Sequence, residues 1–164
     1  MIFATVGTHE DPFNRLVGEL DRLAGEGQLQ EPVILQYGYS EAPKHCRGEK
    51  MMPFAAVQQH MREARVVLTH GGPASIMQAL SHGKIPIVVP RQPAFGEHVD
   101  GHQVAFAQRL ADRVLVLLDI SELEGMLRNY ERLIARLPSP EPPAERARAF
   151  SARLDGLCRG LLGG

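Results

Sequence analysis

Val66-Val67-Leu68-Thr69-His70-Gly71-Gly72-Pro73-Ala74-Ser75 is the stretch that decides the fold. Its first four residues are apolar or β-branched without a polar alternation, the pattern of a strand buried on both faces. Two glycines close the strand. Pro73 then suits the first turn of a helix, because the N–H it lacks would have no partner there. Outward from this point the same order recurs. Upstream, Ile2 to Val6 reads as a buried strand ending in Gly7-Thr8, and a helix from Pro12 to Ala24 sets Phe13, Leu16, Val17, Leu20 and Leu23 on one stripe. Val33 to Gln36 is a second strand. Residues 38–50, rich in Gly, Ser, Pro, Lys and His, are expected as a long surface loop. Met51 to Phe54 is expected as a short strand and Ala55 to Glu63 as a helix.

Downstream, the Pro73 helix should stop at His82-Gly83. Ile85 to Val89 is a strand, Pro90 to Asp100 a loop, Gly101 to Ala111 a helix and Val114 to Leu118 the last strand. A single helix from Ser121 would carry Leu123, Met126, Leu127, Tyr130, Ile134 and Leu137 at helical spacing. Pro138 to Pro143 is a stiff linker, and residues 144–164 are expected as a final amphipathic helix with Ala147, Phe150, Leu154, Leu157 and Leu161 on one face. Residues 1–137 then make one α/β domain, Rossmann-like, with a parallel sheet and helices on both faces. Right-handed crossovers place every strand's carboxyl end on one edge, where such sheets bind ligands. Gly7-Thr8, His70 to Ser75 and Pro90 to Gln103 all fall on that edge.

Composition narrows the function classes. A chain of 164 residues is the size of one domain, and 44% apolar with 23% charged residues is ordinary globular composition. A net charge of -1 and the absence of Trp give no footing for nucleic acid. Cys46 and Cys158 stand far apart in no metal-type spacing, as befits a reducing cytoplasm. Met1 to Gly7 lacks the basic n-region of a signal peptide. No stretch is long enough to span a bilayer, so membrane association would come through a partner.

Three segments carry candidate chemistry. Gly71 and Gly72 let a ligand approach the backbone, and the helix after them aims free N–H groups and the positive end of its dipole at the crevice. A diphosphate suits such a turn, with Ser75 capping the helix or donating to a phosphate oxygen. The plain alternative is a tight strand-to-helix turn without a ligand. The glycine spacing matches neither a dinucleotide fingerprint nor a P-loop. In Phe95 to Gln103, His102 and Gln103 can hydrogen-bond sugar hydroxyls, and Asp100 can cap a helix or accept from a hydroxyl. Helix capping without a ligand also accounts for this segment. Metal ligation by His98 and His102, four apart and flanked by Glu97 and Asp100, is a weaker alternative, since there is no His-Glu-x-x-His arrangement and no cysteine in reach. In Gly7-Thr8-His9, the turn offers backbone and hydroxyl contacts to phosphate, and His9 is the histidine available for acid–base work; a solvated turn residue is the alternative. His45, His60 and His82 read as surface or packing residues.

Taken together, Val6-Gly7-Thr8-His9 with Phe13 and Arg15-Leu16, Gln36-x-Gly38, Thr69 to Met77, Gly83 to Arg91, and Glu97-His98-Val99-Asp100-x-His102-Gln103 resemble the carboxy-terminal domain of glycosyltransferase family 28. The likeness is greatest to small split-enzyme members, such as the soluble subunit of the lipid-linked N-acetylglucosaminyltransferase and its bacterial exopolysaccharide counterparts. It runs from residue 1 to about Ala111 with the motifs in order.

The resemblance implies a GT-B donor domain that binds a UDP-sugar, with no metal or other cofactor. It places Gly71, Gly72 and Ser75 at the diphosphate, and Asp100, His102 and Gln103 at the donor sugar. Gln78 stands where the family commonly has a Glu for the ribose, so that contact loses charge assistance. It implies inverting transfer, with UDP stabilised by the helix N-terminus, and a general base in an amino-terminal half supplied by a membrane-associated acceptor-binding subunit. The last helix, with Arg146, Arg148, Arg153 and Arg159, would dock on that partner or pack on its own sheet. Two rivals remain: a non-catalytic UDP-sugar sensor or scaffold, and an epimerase, which would need a second domain in the same chain.

Overall fold

The apolar runs do assemble as one parallel sheet, in a computed structural model that describes residues 1–138 and residue 152. Its strands are β1 (Ile2–Thr5), β2 (Val33–Gln36), β3 (Arg47–Glu49), β4 (Val66–His70), β5 (Ile87–Val89) and β6 (Leu115–Val116). They lie in the order β3-β2-β1-β4-β5-β6, every neighbouring pair parallel. The helices are α1 (Asn14–Gly25), α2 (Phe54–Glu63), α3 (Pro73–Ser81), α4 (His102–Arg109), α5 (Leu123–Arg128) and α6 (Tyr130–Ile134).

In β1, β2, β4 and β5 side chains alternate between two covered faces, which is why these strands are mostly apolar. Ile2, Ala4, Leu35, Leu68 and Val89 pack against Leu16, Val17, Leu20 and Leu23 of α1 and against Leu123, Leu127 and Tyr130. On the opposite face Phe3 and Val67 meet Met61, Ala64 and Ala79, and Val88 meets Ile76 and Ala107. So α1, α5 and α6 cover one side and α2, α3 and α4 the other. Strand order reverses at the β1–β4 pair, and the sheet's switch-point crevice opens there.

Three expectations on secondary structure are corrected. The strand expected at Met51 to Phe54 is instead β3, inside the expected loop. All three residues of β3 are exposed, so no apolar run could mark it. Met52 and Pro53 are extended coil leading into α2, whose N-cap is Pro53. The single helix expected from Ser121 is divided at Asn129, whose backbone leaves helical geometry and whose Nδ2 donates to the Gly125 carbonyl at 2.8 Å. The last two strands are also shorter than expected, β5 beginning only after Pro86 and β6 being two residues long. The linker beyond Pro138 and the final helix lie outside the described residues.

Candidate functional site

β1 and β4 lie side by side, so the turns that follow them meet at the crevice. Gly7 adopts φ +76°, a left-handed conformation in which a Cβ is strained. The turn is braced from below. Thr5 Oγ1 accepts the Gly7 N–H at 3.2 Å, and Gln36 Nε2 donates to Thr5 Oγ1 at 3.2 Å while its Oε1 accepts Met52 N–H. The His70 ring fills the room that the missing side chain leaves. A Cβ at Gly7 would lie 2.5 Å from His70 Cε1, and one at Gly72 would lie 2.3 Å from His70 Nε2. At Gly71 a Cβ would strike Gln103 Cβ at 2.7 Å and Pro90 Cβ at 3.0 Å. The absence of side chains at these glycines therefore admits His70 and Gln103. Burial, then the nearby Arg91 charge, lowers the His70 imidazole to about 4, so at neutral pH the ring is uncharged.

Past these glycines α3 starts with Pro73 and no side chain caps it. Its first bond runs from Ile76 N–H to the Gly72 carbonyl, which leaves the N–H groups of Ala74 and Ser75 for a ligand or water. Ser75 is half-buried in this turn and makes no side-chain hydrogen bond among the described residues. Gln78, one turn further along α3, is also half-buried. Thr8 is exposed beside Gly7. Gln103 reaches the crevice, but its Oε1 is already used: it accepts the N–H of Gly71 and that of Arg91, both at 3.1 Å. Its role is thus to tie the loop after β4 to the loop after β5, with only its amide NH2 left for a ligand.

The loop 90–100 is held by charged side chains in its own interior. Arg91 is fully buried, and its guanidinium donates to the carbonyls of Asp11 (2.8 Å), Val6 (3.0 Å) and Glu97 (3.2 Å) while facing the Phe13 ring at 4.8 Å. Desolvation lowers its pKa against the opposing pull of Glu97 and Asp11, yet a guanidinium remains charged. Glu97, 4% exposed, takes a two-pronged ion pair from Arg15 at 2.8 and 2.9 Å and also accepts Gln92 N–H. Arg15 continues to the Pro90 carbonyl and lies over the exposed Phe95 ring. Reading the residues singly gave no role to Arg15, Arg91 or Glu97. They stood in the family motifs without a role of their own, and their convergence supplies one.

His9 and His98 come together from separate loops, ring centroids 5.2 Å apart. Asp100 accepts His102 N–H at 3.0 Å and lies 2.8 Å from His102 Nδ1 and 3.3 Å from His98 Nδ1. The His102 backbone and side-chain hydrogen bonds hold the Asp100 carboxyl below its ordinary range. Asp100 thus caps the approach to α4, and His102 is the most solvent-open member of the group. Among the described residues no three His, Cys, Asp or Glu side chains are grouped to hold a metal ion. Of the sequence-derived candidates, Gly7, His70, Gly71, Gly72 and Gln103 are in direct mutual contact, and His9 and Asp100 flank them through His98. Ser75 and Gln78 sit on α3 with side chains not engaged by these partners.

Comparisons with known proteins agree with this architecture. Residues 1–154 match the glycosyltransferase family 28 C-terminal domain, and the chain belongs to that family. No curated protein sequence gives a significant match. Among solved structures, the spinosyn forosaminyltransferase SpnP superimposes with a TM-score of 0.59 at 19% identity, over 95% of this chain and 43% of that one. The glycotransferase of kitacinnamycin gives 0.56 at 18% identity, over 90% of this chain and 37% of that one. At such identities the likeness speaks for the fold. This chain spans well under half the length of either relative.

Proposed function

We propose that this chain is the donor-binding part of a two-component glycosyltransferase, moving a sugar from a UDP-sugar to a lipid-linked acceptor in polysaccharide or glycan synthesis. The observation that carries the reading is the uncapped start of α3 at the β1–β4 switch point, in a chain of family 28. Ala74 and Ser75 offer N–H groups with no partner among the described residues there, at the positive end of a helix dipole, and a diphosphate supplies the acceptor oxygens and the charge to match. As the glycosidic bond breaks, negative charge grows on the UDP oxygens, and donors already fixed in place stabilise it without reorganisation. Gly7 and Thr8 close the other side. In this reading the Gln103 amide and Asp100 take sugar hydroxyls, and Gln78 takes the ribose.

A general base must take the acceptor's hydroxyl proton. We assign that task, and the lipid-linked acceptor, to a separate membrane-associated subunit. Among the described residues no helix is long and apolar enough to cross a membrane, and recruitment to the membrane is assigned to the same subunit.

Calorimetric titration of the purified chain with UDP, followed by donor turnover assays with and without the acceptor-binding subunit, tests the reading. UDP binding by the chain alone, with turnover only when the partner is added, is the expected result. Absence of UDP binding at millimolar concentration overturns it. Tight binding with no turnover in any pairing would instead make the chain a sensor of nucleotide sugars.

A further inference from the structure

We propose that His9 and His98 act as a matched pair of hydrogen-bond donors to the nucleotide sugar's diphosphate, neither of them serving as the base. The proposal rests on the donor-site reading above and adds two residues to it. The motif is the same on both loops: His9-Glu10-Asp11 and His98-Val99-Asp100. In each, the ring Nδ1 accepts the backbone N–H of the Asp two residues on, at 3.2 Å for Asp11 and 3.4 Å for Asp100. Where Nδ1 accepts this N–H its lone pair is committed, and the neutral ring then carries its proton on Nε2; this tautomer is part of the proposal. Neither ring then has a free lone pair with which to abstract a proton. Should a ring gain a second proton, Nε2 remains an N–H, and the Asp11 and Asp100 carboxylates, 3.5 and 3.3 Å from the two Nδ1 atoms, meet the new charge. In either state Nε2 is a donor.

The pairing makes two such donors neighbours. The rings lie 5.2 Å apart and inclined by 37°, on loops that Arg91 binds together through the carbonyls of Val6, Asp11 and Glu97. His9 follows directly on the Gly7 turn against which the His70 ring packs, so the pair stands beside the switch point. His70 is neutral there and supplies no charge. His9 is 41% exposed and His98 18%, so both are within a ligand's reach. A diphosphate has only acceptor oxygens, several of them a few ångströms apart, and two adjacent fixed N–H groups complement it. Metal binding would need both Nε2 lone pairs freed and a third ligand, and no such trio occurs among the described residues.

Two measurements test the pair. Long-range 1H–15N spectra of the ligand-free chain, labelled with 15N-histidine, should show the Nε2–H tautomer for both rings; an Nδ1–H tautomer in either overturns the proposal. UDP and uridine are then titrated into His9→Gln, His9→Ala, His98→Gln and His98→Ala, each checked for an unchanged melting profile. The Gln amide nitrogen stands near the place of Nε2–H. Gln variants should therefore stay within ~3-fold of wild-type UDP affinity, while Ala variants lose ~10-fold, a typical loss for a hydrogen bond to a charged group. Uridine affinity should not change. Gln variants as weak as Ala, or equal losses for uridine and UDP, would overturn the donor role. If the wild-type chain itself fails to bind UDP, the donor-site reading falls; if it binds and the variants match it, only the pair does.

Discussion

Around His70 the chain makes room by leaving side chains out, whereas around Glu97 it fills the same crevice wall with charged ones. Gly7, Gly71 and Gly72 are close-fitting absences: a Cβ at any of them would come within 2.7 Å of a His70 or Gln103 atom. The loop 90–100 is the reverse, a segment with little regular structure held by the buried Arg91 and by the Arg15–Glu97 pair. Each solves the problem of fixing an irregular backbone at a binding edge. The glycine turns keep the backbone itself accessible, which suits recognition by N–H groups. The charged loop spends its polar groups internally and presents what remains, His98 and Asp100, in a set position. Gln103 joins the two, accepting one N–H from each side.

Substitutions should separate the two designs. The largest effect is expected for Arg91→Ala, which strips the donor from three or more interior carbonyls. A loss of about 3–5 kcal/mol is expected, the range for removing one member of a buried charged cluster, read as a lower urea midpoint. A loss below ~1 kcal/mol would mean the loop does not depend on its staple. Glu97→Gln comes next, at about 2–3 kcal/mol, since Arg15 loses its ionic partner but keeps one acceptor. Pairing it with Arg15→Met should recover part of that loss, because the uncompensated charge is then gone. If the double variant is no better than the sum of its singles, the ion pair is not the unit that matters.

On the glycine side, Gly7→Ala should cost about 1–2 kcal/mol from its positive φ alone and should also displace the His70 ring. A chemical-shift change at His70 with the fold otherwise intact is the expected signature. An unmoved ring would show that the turn has room to spare. The remaining test is a slope, read per pH unit. His70 has an ordinary value of 6.5 and about 4 in the folded chain, so between those values the unfolded state binds the extra proton and the folded state does not. The contribution of neutral His70 is therefore complete above pH 6.5 and is lost as pH falls from 6.5 toward 4. Unfolding free energy should decline through that window, with a shallower decline in His70→Gln. Equal slopes would place the titrating group elsewhere.

Much of the architecture was legible because it follows from local rules. Apolar β-branched runs, glycine stops and the helical stripe of α1 identify β1, β2, β4, β5 and α1 directly. β3 was not legible, since an exposed edge strand of Arg47-Gly48-Glu49 has no apolar signature. The break at Asn129 was missed because the apolar spacing continues across it. At the site, sequence marked the loops and the glycines as ligand contacts, and the structure adds that His70 and Gln103 pack against those glycines. Asp100 and His102 were marked as sugar contacts; their bonds to one another appear only when the loop is folded.

The sequence by itself determined a parallel α/β sheet and which turns share its carboxyl edge, because strand burial, helix period and crossover handedness are properties of short segments. Only the tertiary structure decided that β1 and β4 lie together, so that Gly7 and Gly72 enclose one imidazole. It alone decided that Arg15, Arg91 and Glu97 converge, and that His9 meets His98 across 89 positions of chain. The physical reason is range. Backbone preference and hydrophobic period act over a few residues, whereas a buried guanidinium or a fixed tautomer depends on partners that the chain brings together only by folding.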